Sequence, residues 1–341
     1  MTGNTTHRFS NTALLTVSRV DASRIVTSDE LDERLADTYR RVGLRRGLLE
    51  RLAGIHERRW WPEGVTFVDG AATAGAKAIS ESGVDPAEIG LMVNTSVSRQ
   101  ALEPATAVAV HDAIGLPPSC QNFDVTNACL GFVNGIEIAA AMIDAGLVDY
   151  ALVVNGEDAQ KVQEATIDGL SAPEVTAKDV IAQFATLTLG SGAVAMVLGR
   201  ADRHPEGHRV VASVSRAGTE HHDLCIGSNE VMHTDLKGLL DAGLQLSADL
   251  WADAAEEFDW AAGMSRYVIH QVSQVHTDAL CKRLEIDPTL VPRTFPDRGN
   301  IGPVSVPFTL AGEVDTLDEG DRVLLMGIGS GLNASIMEIL W

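Results

Sequence analysis

The chain has 341 residues, of which 45% are hydrophobic, and its 26 basic and 47 acidic residues give a formal net charge of −21. This length indicates two structural units or one large α/β body, and the negative charge argues against nucleic acid or an anionic membrane surface as a partner. Four cysteines without paired spacing, no apolar leader and no run of about 20 apolar residues predict a soluble, cytoplasmic protein without disulfides.

Apolar runs alternate with longer helical patterns along the chain. Residues 69–82 and 232–257 show helical patterns, whereas residues 89–98 and 149–154 are strand-like. Because continuous apolar strands are typical of sheets covered by helices on both faces, we predict an α/β fold. Ligands bind to such folds at the ends of the strands.

Cys129 lies between a strand-like run, residues 123–127, and a small-residue helix predicted for residues 133–145, with Gly146 at its end. In the first turn of that helix, backbone N–H groups and the helix dipole would stabilise a thiolate and lower the pKa of the thiol. Apolar burial would raise that pKa instead, and an isolated cysteine is more often a small core residue. The partners found further along the chain make Cys129 a candidate nucleophile.

The chain contains an internal duplication. Residues 89–98 resemble residues 265–274, and residues 149–154 resemble residues 321–326 at nearly the same offset. Each of these segments is an apolar strand candidate, and the first pair ends in polar residues. We therefore predict two related halves.

The same register aligns residues 123–129 with residues 295–301. Cys129, His270 and Asn300 would then each follow a strand. If the strand ends of the two halves converge, these three side chains share one pocket. Taken alone, His270 would more often be a core histidine and Asn300 a turn residue.

Five segments, in this order from end to end, resemble the thiolase-fold condensing enzymes of the ketoacyl synthase III type. They are residues 53–59 (AGIHERR), 128–132 (ACLGF), 269–271 (IHQ), 299–302 (GNIG) and 327–331 (GIGSG). The resemblance implies the thiolase fold, an α/β fold in which two pseudo-repeated βα halves form a five-layered αβαβα body. The N-terminal half would span residues 1–200 and the C-terminal half residues 201–341.

Within that family, residues 94–99 (NTSVSR) and 102–107 (LEPATA) resemble the OleA group, which joins two fatty acyl-CoA molecules head to head in bacterial olefin and β-lactone biosynthesis. The resemblance implies a Claisen condensation without decarboxylation, through an acyl-cysteine at Cys129. The 2-alkyl-3-ketoacyl product would be released as the β-keto acid. No separate cofactor is implied, because the substrates carry coenzyme A.

The resemblance also assigns roles to individual residues. The backbone N–H groups of Cys129 and Ser330 would form the oxyanion hole during acylation. His270 and Asn300 would donate hydrogen bonds to the thioester carbonyl of the second substrate and stabilise its enolate. The glycines around Ser330 are equally compatible with tight packing after a strand.

Glu103 is the candidate general base, because the second acyl chain has no carboxyl group to lose. In the OleA group the matching glutamate enters the pocket of the neighbouring subunit, so the resemblance implies a homodimer. An apolar tunnel would raise the pKa of Glu103. The alternative is a surface glutamate before Pro104. Assembly with downstream pathway enzymes is a further expectation from the resemblance.

The contacts to the adenine of coenzyme A depart from the wider family pattern. Many relatives carry a tryptophan and an arginine just before the segment equivalent to residues 53–59, and this chain does not. Arg51, Arg58 and Trp60 are the substitutes that the sequence offers. We predict no metal site, because residues 221–225 (HHDLC) have no second ligand cluster at suitable spacing.

Three alternatives use the same fold. A ketoacyl synthase III that primes fatty acid or polyketide synthesis would need malonyl carrier protein but not Glu103. In a thioesterase-like hydrolase, water would attack the acylated Cys129. A non-catalytic scaffold subunit would use the fold only for assembly.

Overall fold

The computed structural model describes residues 3–228 and 230–341. Its strands are β1 (Thr5–Arg8), β2 (Thr12–Asp21), β3 (Arg24–Thr27), β4 (Glu57–Trp60), β5 (Ile89–Asn94), β6 (Gln121–Asp124), β7 (Tyr150–Glu157), β8 (Gly192–Arg200), β9 (His208–Ala217), β10 (Cys225–Gly227), β11 (Met232–Thr234), β12 (Arg266–Ile269), β13 (Arg322–Gly329) and β14 (Asn333–Leu340). Its α-helices are α1 (Ser28–Arg34), α2 (Ala36–Val42), α3 (Phe67–Ser82), α4 (Thr106–Ile114), α5 (Gly131–Asp144), α6 (Gln160–Leu170), α7 (Ala177–Ala182), α8 (Phe184–Leu187), α9 (Leu236–Phe258), α10 (Gln274–Leu284), α11 (Phe295–Arg298) and α12 (Ser305–Glu313).

The main sheet has ten strands in the order β12-β13-β14-β9-β2-β8-β7-β5-β6, with β1 paired to β9. One run of four strands is parallel between β5 and β7 and antiparallel from β7 through β8 to β2. The other run has the same directions: β12 and β13 are parallel, and β13, β14 and β9 are antiparallel. The repetition that the sequence predicts therefore appears in the strand order.

Helices cover both parts of the sheet and separate them, which gives five layers. On one outer face α3 packs against β2, β7 and β8, and α4 packs against α3. In the middle, α5 contacts β7 and β13, and α12 contacts β8 and β12. On the other outer face α9 packs against α10, β9 and β14. This is the predicted αβαβα arrangement.

Alternation of side chains along the strands explains the continuous apolar runs. In β5, Leu91 and Val93 point into the central core and Met92 points into the core beneath α3. In β13, Leu325 belongs to the central core and Leu324 to the core beneath α9. Because both faces of these strands are buried, most positions in both alternating sets are apolar.

Two of the predicted helices have nearly the predicted bounds, and one does not. The helix α3 begins at Phe67, where Thr66 and Asp69 form a capping box, and α5 begins two residues before the predicted start. The pattern over residues 232–257 is helical only from Leu236, because the side chain of Asp235 accepts the N–H of Gly238 and starts α9 there. Residues 232–234 are strand β11 instead.

Residues 295–301 are not the strand that the duplication predicts. The strand β6 has no counterpart in the second half, where residues 295–298 form the short helix α11 with Pro296 in its first turn. Proline lacks the N–H that a sheet ladder needs and fits the start of a helix. Asn300 therefore follows a helix, and Gly299 provides the left-handed backbone between them, with φ 67°.

Two further properties of the fold are the state of its cysteines and the apolar length of its helices. All four cysteines are free thiols. No helix within residues 3–228 and 230–341 is long and apolar enough to cross a bilayer.

Candidate active site

Cys129 lies in a tight turn between β6 and α5. Ala128 has a left-handed backbone with φ 45°, which is uncommon for a residue other than glycine. Leu130 is the N-cap of α5, and its N–H donates to the carbonyl of Asn127 at 3.0 Å. Cys129 therefore stands just before the helix, not within its first turn as predicted.

The pKa of the Cys129 thiol is raised, not lowered. Burial is the largest cause, followed by the charges of Cys225 and Glu157, and together they raise the pKa to about 12. A hydrogen bond from the backbone N–H of Cys129 acts in the opposite direction and is outweighed. Loss of hydration thus exceeds the stabilisation of the thiolate by the helix terminus. A pKa this high leaves Cys129 a neutral thiol near pH 7.

We expect alkylation of Cys129 by iodoacetamide to be slow at neutral pH. Because the thiolate is the reactive species, the rate should rise about tenfold per pH unit from about pH 7 to about pH 10. Peptide mass spectrometry would follow Cys129 against Cys225 in the same sample. A rate for Cys129 that levels off near neutral pH would contradict the raised pKa.

Strand β13 of the second half ends against the turn that carries Cys129. A Cβ atom on Gly329 would lie 2.6 Å from the carbonyl oxygen of Asn127, and one on Gly327 would lie 2.6 Å from Cδ1 of Leu130. At Gly329, where the contact is with backbone, only glycine permits this approach, whereas at Gly327 the end of the Leu130 side chain could move. The oxyanion-hole and packing interpretations of the glycine-rich turn are therefore compatible. The close packing of the turn is what places the backbone of Ser330 beside the turn of Cys129.

His270 follows β12 directly and is 3% exposed. Its backbone N–H donates to the carbonyl of Met326 at 2.9 Å, and its Nδ1 lies 2.6 Å from Oγ of Ser305. Burial, followed by the neighbouring His276, lowers the pKa of His270 to about 3. The imidazole is therefore neutral near pH 7 and carries a single ring proton.

Asn300 is held by its backbone on both sides. Its N–H donates to the carbonyl of Thr188 at 2.8 Å, and its carbonyl accepts the N–H of Gly190 at 2.9 Å. Its side-chain Oδ1 accepts the N–H of Gly302 at 3.0 Å. Because the oxygen of the amide faces that N–H, the NH₂ group points elsewhere and can donate.

One hydrophobic core joins the segments that carry the three predicted site residues. Leu130, Val268 and Ile301, which lie within two positions of Cys129, His270 and Asn300, all belong to the central core. Ser305 also links the last two, since it contacts His270 and begins the helix that follows Asn300. The structure thus brings these three segments to the same layer of the fold.

Glu103 lies on the loop between β5 and α4 and is exposed. The neighbouring Leu102 is 96% exposed, although it is a large apolar side chain. The apolar surroundings expected for Glu103 are therefore not supplied by its own chain.

Two of the three side chains offered as adenine contacts, Arg58 and Trp60, lie in the interior of this chain. Arg58 is fully buried and donates to the carbonyl of Leu187 at 3.2 Å and to Oγ of Ser28 at 3.1 Å. Trp60 is 1% exposed, and its Nε1–H donates to Gln163 at 2.6 Å. Both side chains stabilise the interior. Arg51 is exposed at the surface and stays a prediction.

Sequence reasoning missed Glu157, which ends strand β7 and is 8% exposed. Its carboxylate accepts the N–H of Val97 at 2.7 Å, and the N–H and hydroxyl of Ser98 at 3.0 and 2.6 Å. Burial raises the pKa of Glu157 to about 7. The available signal was a carboxylate at the end of an otherwise apolar strand. Sequence reasoning also missed Ser305, which contacts His270, and the sequence offered no comparable signal for it.

The chain is similar to proteins of known families. Residues 123–218 match the family 3-oxoacyl-[acyl-carrier-protein (ACP)] synthase III, and residues 261–341 match the C-terminal part of that family. The chain is 43% identical over 336 residues to an acyl-CoA:acyl-CoA alkyltransferase of Xanthomonas campestris, covering 98% of this chain and 99% of the relative. A protein of the same name from Shewanella oneidensis is 36% identical over 332 residues, covering 93% and 95% of the two chains.

Solved structures of Xanthomonas campestris OleA have the same fold. One, a cysteine-to-serine variant with bound lauric acid and lauroyl-CoA, superposes with a TM-score of 0.95 at 42% identity, covering 98% of this chain and all of that chain. Another, with bound cerulenin, has a TM-score of 0.95 at 43% identity and covers 98% of each chain. The predicted thiolase fold is confirmed. The chain is an acyltransferase of the thiolase superfamily and belongs to the OleA family of acyl-CoA:acyl-CoA alkyltransferases.

Proposed function

We propose that this protein condenses two fatty acyl-CoA molecules head to head through an acyl-cysteine at Cys129. The observation that carries the proposal is the contact between the turn of Cys129 and the turn after β13, with His270 held at the adjoining strand end. The Xanthomonas and Shewanella relatives are named acyl-CoA:acyl-CoA alkyltransferases, and one crystal structure of the former holds lauroyl-CoA.

In the first step, Sγ of Cys129 attacks the thioester carbonyl of one acyl-CoA. A new carbon–sulfur bond forms, the bond to coenzyme A breaks, and the proton of the Cys129 thiol leaves with the coenzyme A thiol. The backbone N–H groups of Cys129 and Ser330 stabilise the oxyanion between these events. Because the thiol is neutral at rest, its deprotonation belongs to the acylation step and does not precede substrate binding.

In the second step, His270 and Asn300 bind the thioester oxygen of the other acyl-CoA. Oγ of Ser305 lies 2.6 Å from Nδ1 of His270 and also accepts the N–H of Gln271 at 3.4 Å. We assign the Ser305 hydroxyl as the donor to Nδ1, so that the single ring proton of His270 is on Nε2. The Nε2–H and the NH₂ of Asn300 then donate to the same oxygen. Both donors are neutral. They stabilise the negative charge that develops on the enolate oxygen and place no full positive charge beside the carbonyl of the bound substrate.

Glu103 of a partner subunit takes the α-proton of the second acyl-CoA. The support is the placement of Glu103 on an exposed loop beside Leu102, which is 96% exposed and would be covered by a second copy of the chain. Burial of the loop in that interface gives the carboxylate the apolar surroundings of an effective general base.

The carbanion then attacks the carbonyl of acyl-Cys129. A carbon–carbon bond forms, the carbon–sulfur bond to Cys129 breaks, and the thiolate recovers the proton that Glu103 holds. The product is a 2-alkyl-3-ketoacyl-CoA. Water cleaves its thioester, which releases coenzyme A and the β-keto acid, the compound that olefin or β-lactone synthesis would use.

The test is product analysis by mass spectrometry, with purified protein given only dodecanoyl-CoA. We expect a β-keto acid with twice the carbon number of the acyl chain, or the ketone formed by its decarboxylation, and none with Cys129→Ala. Free dodecanoic acid as the sole product would identify a hydrolase. Condensation that requires malonyl carrier protein would identify a priming ketoacyl synthase III, the activity named for the matched family.

A further inference from the structure

The loop that carries Glu103 leaves the sheet at the centre of three parallel strands. Strand β5 lies between β7 and β6 and is parallel to both. Each neighbour ends in a carboxylate, Glu157 on β7 and Asp124 on β6. The segment between β5 and α4 therefore passes between two acidic strand ends.

Glu157 holds the beginning of this segment. Its two oxygens accept three hydrogen bonds from Val97 and Ser98, all of them 3.0 Å or shorter. The hydroxyl of Ser98 in turn accepts the N–H of Asp158 at 2.9 Å. Three hydrogen bonds to one buried side chain fix this end of the segment relative to β7.

Asp124 holds the other end. Its oxygens accept the N–H groups of Thr106 and Ala107, the first two residues of α4, at 3.0 and 2.8 Å. Arg99 connects the two ends: it donates to the carbonyl of Ser98 at 3.0 Å and lies 3.5 Å from Asp124. A carboxylate at the N-terminus of a helix also interacts favourably with the helix dipole.

Between these two anchors, residues 100–105 are exposed without interruption. The anchors thus leave a short arm, residues 100–105, whose base is held in place on both sides. Glu103 and Leu102 lie at its middle. Placement of a catalytic group to within about 0.5 Å needs such a supporting shell.

We propose that Glu157 and Asp124 are positioning residues that hold this arm so that Glu103 enters the pocket of a second copy of the chain. The inference rests on the proposed function, since it assigns the support of the proposed base. It predicts that loss of either anchor impairs condensation and spares acylation, because acylation of Cys129 does not use Glu103.

The test measures the two steps separately in Glu157→Gln. Acylation is followed as the mass increase of intact protein after mixing with dodecanoyl-CoA, and condensation as β-keto acid formed. We expect condensation to fall about 100-fold, because a small displacement of a catalytic group has that effect. Acylation should not fall below about half the wild-type rate, because removal of the Glu157 charge lowers the pKa of the Cys129 thiol and does not hinder its attack. A general loss of structure would instead reduce both steps.

Two further variants sharpen the comparison. Ser98→Ala removes one of the three hydrogen bonds to Glu157, whereas Ser98→Thr keeps the hydroxyl and should restore condensation. Glu338→Gln is the matched control, because Glu338 is also a buried carboxylate, 5% exposed, but it binds Trp260 and Arg322 in the other half of the molecule. It should not separate the two steps.

If Glu157→Gln fails to fold, Asp124→Asn tests the other anchor with the same two measurements. Condensation reduced less than about tenfold by the anchor variant, or acylation reduced in the same proportion, would overturn the inference. Condensation that survives in Glu103→Ala would instead overturn the proposed base. The two failures are therefore distinguishable.

Discussion

Glu103→Ala is expected to acylate Cys129 at the wild-type rate and to form no measurable β-keto acid. Loss of a general base costs about 10² to 10⁴ in rate, and the proposed mechanism has no second base to take the α-proton. Intact-protein mass spectrometry with dodecanoyl-CoA would report acylation, and product analysis of the same reaction would report condensation. Glu319→Ala, a change of another exposed glutamate, serves as the control.

Subunit mixing tests whether this protein is a dimer in which Glu103 acts across the proposed interface. When Cys129→Ala and Glu103→Ala, each inactive alone, are unfolded together and refolded in equal amounts, about half of the dimers contain one of each chain. If Glu103 acts on the partner's Cys129, each mixed dimer has one complete site, so about a quarter of wild-type activity should return. If Glu103 acted on its own subunit, no site would be complete and no activity would return.

Asn300→Asp is expected to reduce condensation about 10² to 10³-fold, which is the usual cost of losing one donor to a developing oxyanion. In the wild type, Oδ1 of Asn300 accepts the N–H of Gly302 at 3.0 Å. An aspartate keeps an oxygen at that position but has a second oxygen in place of the NH₂ donor. The substitution therefore changes the donor and leaves the turn in place. Single-turnover product formation from enzyme already acylated at Cys129 is the measurement.

Thermal unfolding of Asn300→Asp provides its control. Because the backbone contacts of Asn300 with Thr188 and Gly190 do not involve the side chain, the unfolding temperature should stay close to that of wild type. A variant that unfolds normally and condenses at the wild-type rate would remove Asn300 from the enolate site.

Local patterns in the sequence were sufficient for the α/β class and for the two related halves, whereas the five-layered arrangement came from the family resemblance. Apolar runs such as residues 149–154 predict strands buried on both faces, and β7 and β13 repeat that environment in the two halves. The positions of Cys129 and His270 at strand ends or in the following turn also come from this alternation, because strand and helix periods are properties of neighbouring residues.

Other features depend on residues that are distant in sequence. The sheet ends at β12, and residues 295–298 form a helix where a strand before Asn300 was predicted. Arg58 and Trp60 looked available for a nucleotide until their burial against partners more than a hundred positions away was visible.

The pKa values at the site also depend on residues that are distant in sequence. The sequence places Cys129 near a helix start, which favours a low pKa, but the surrounding core removes water and raises it to about 12. Glu157 likewise acquires its role only because β5 lies between β6 and β7, so that its carboxylate meets Val97 and Ser98. Periodicity and turn residues are local and can be read in order, whereas desolvation and hydrogen bonding across strands exist only after the chain has folded.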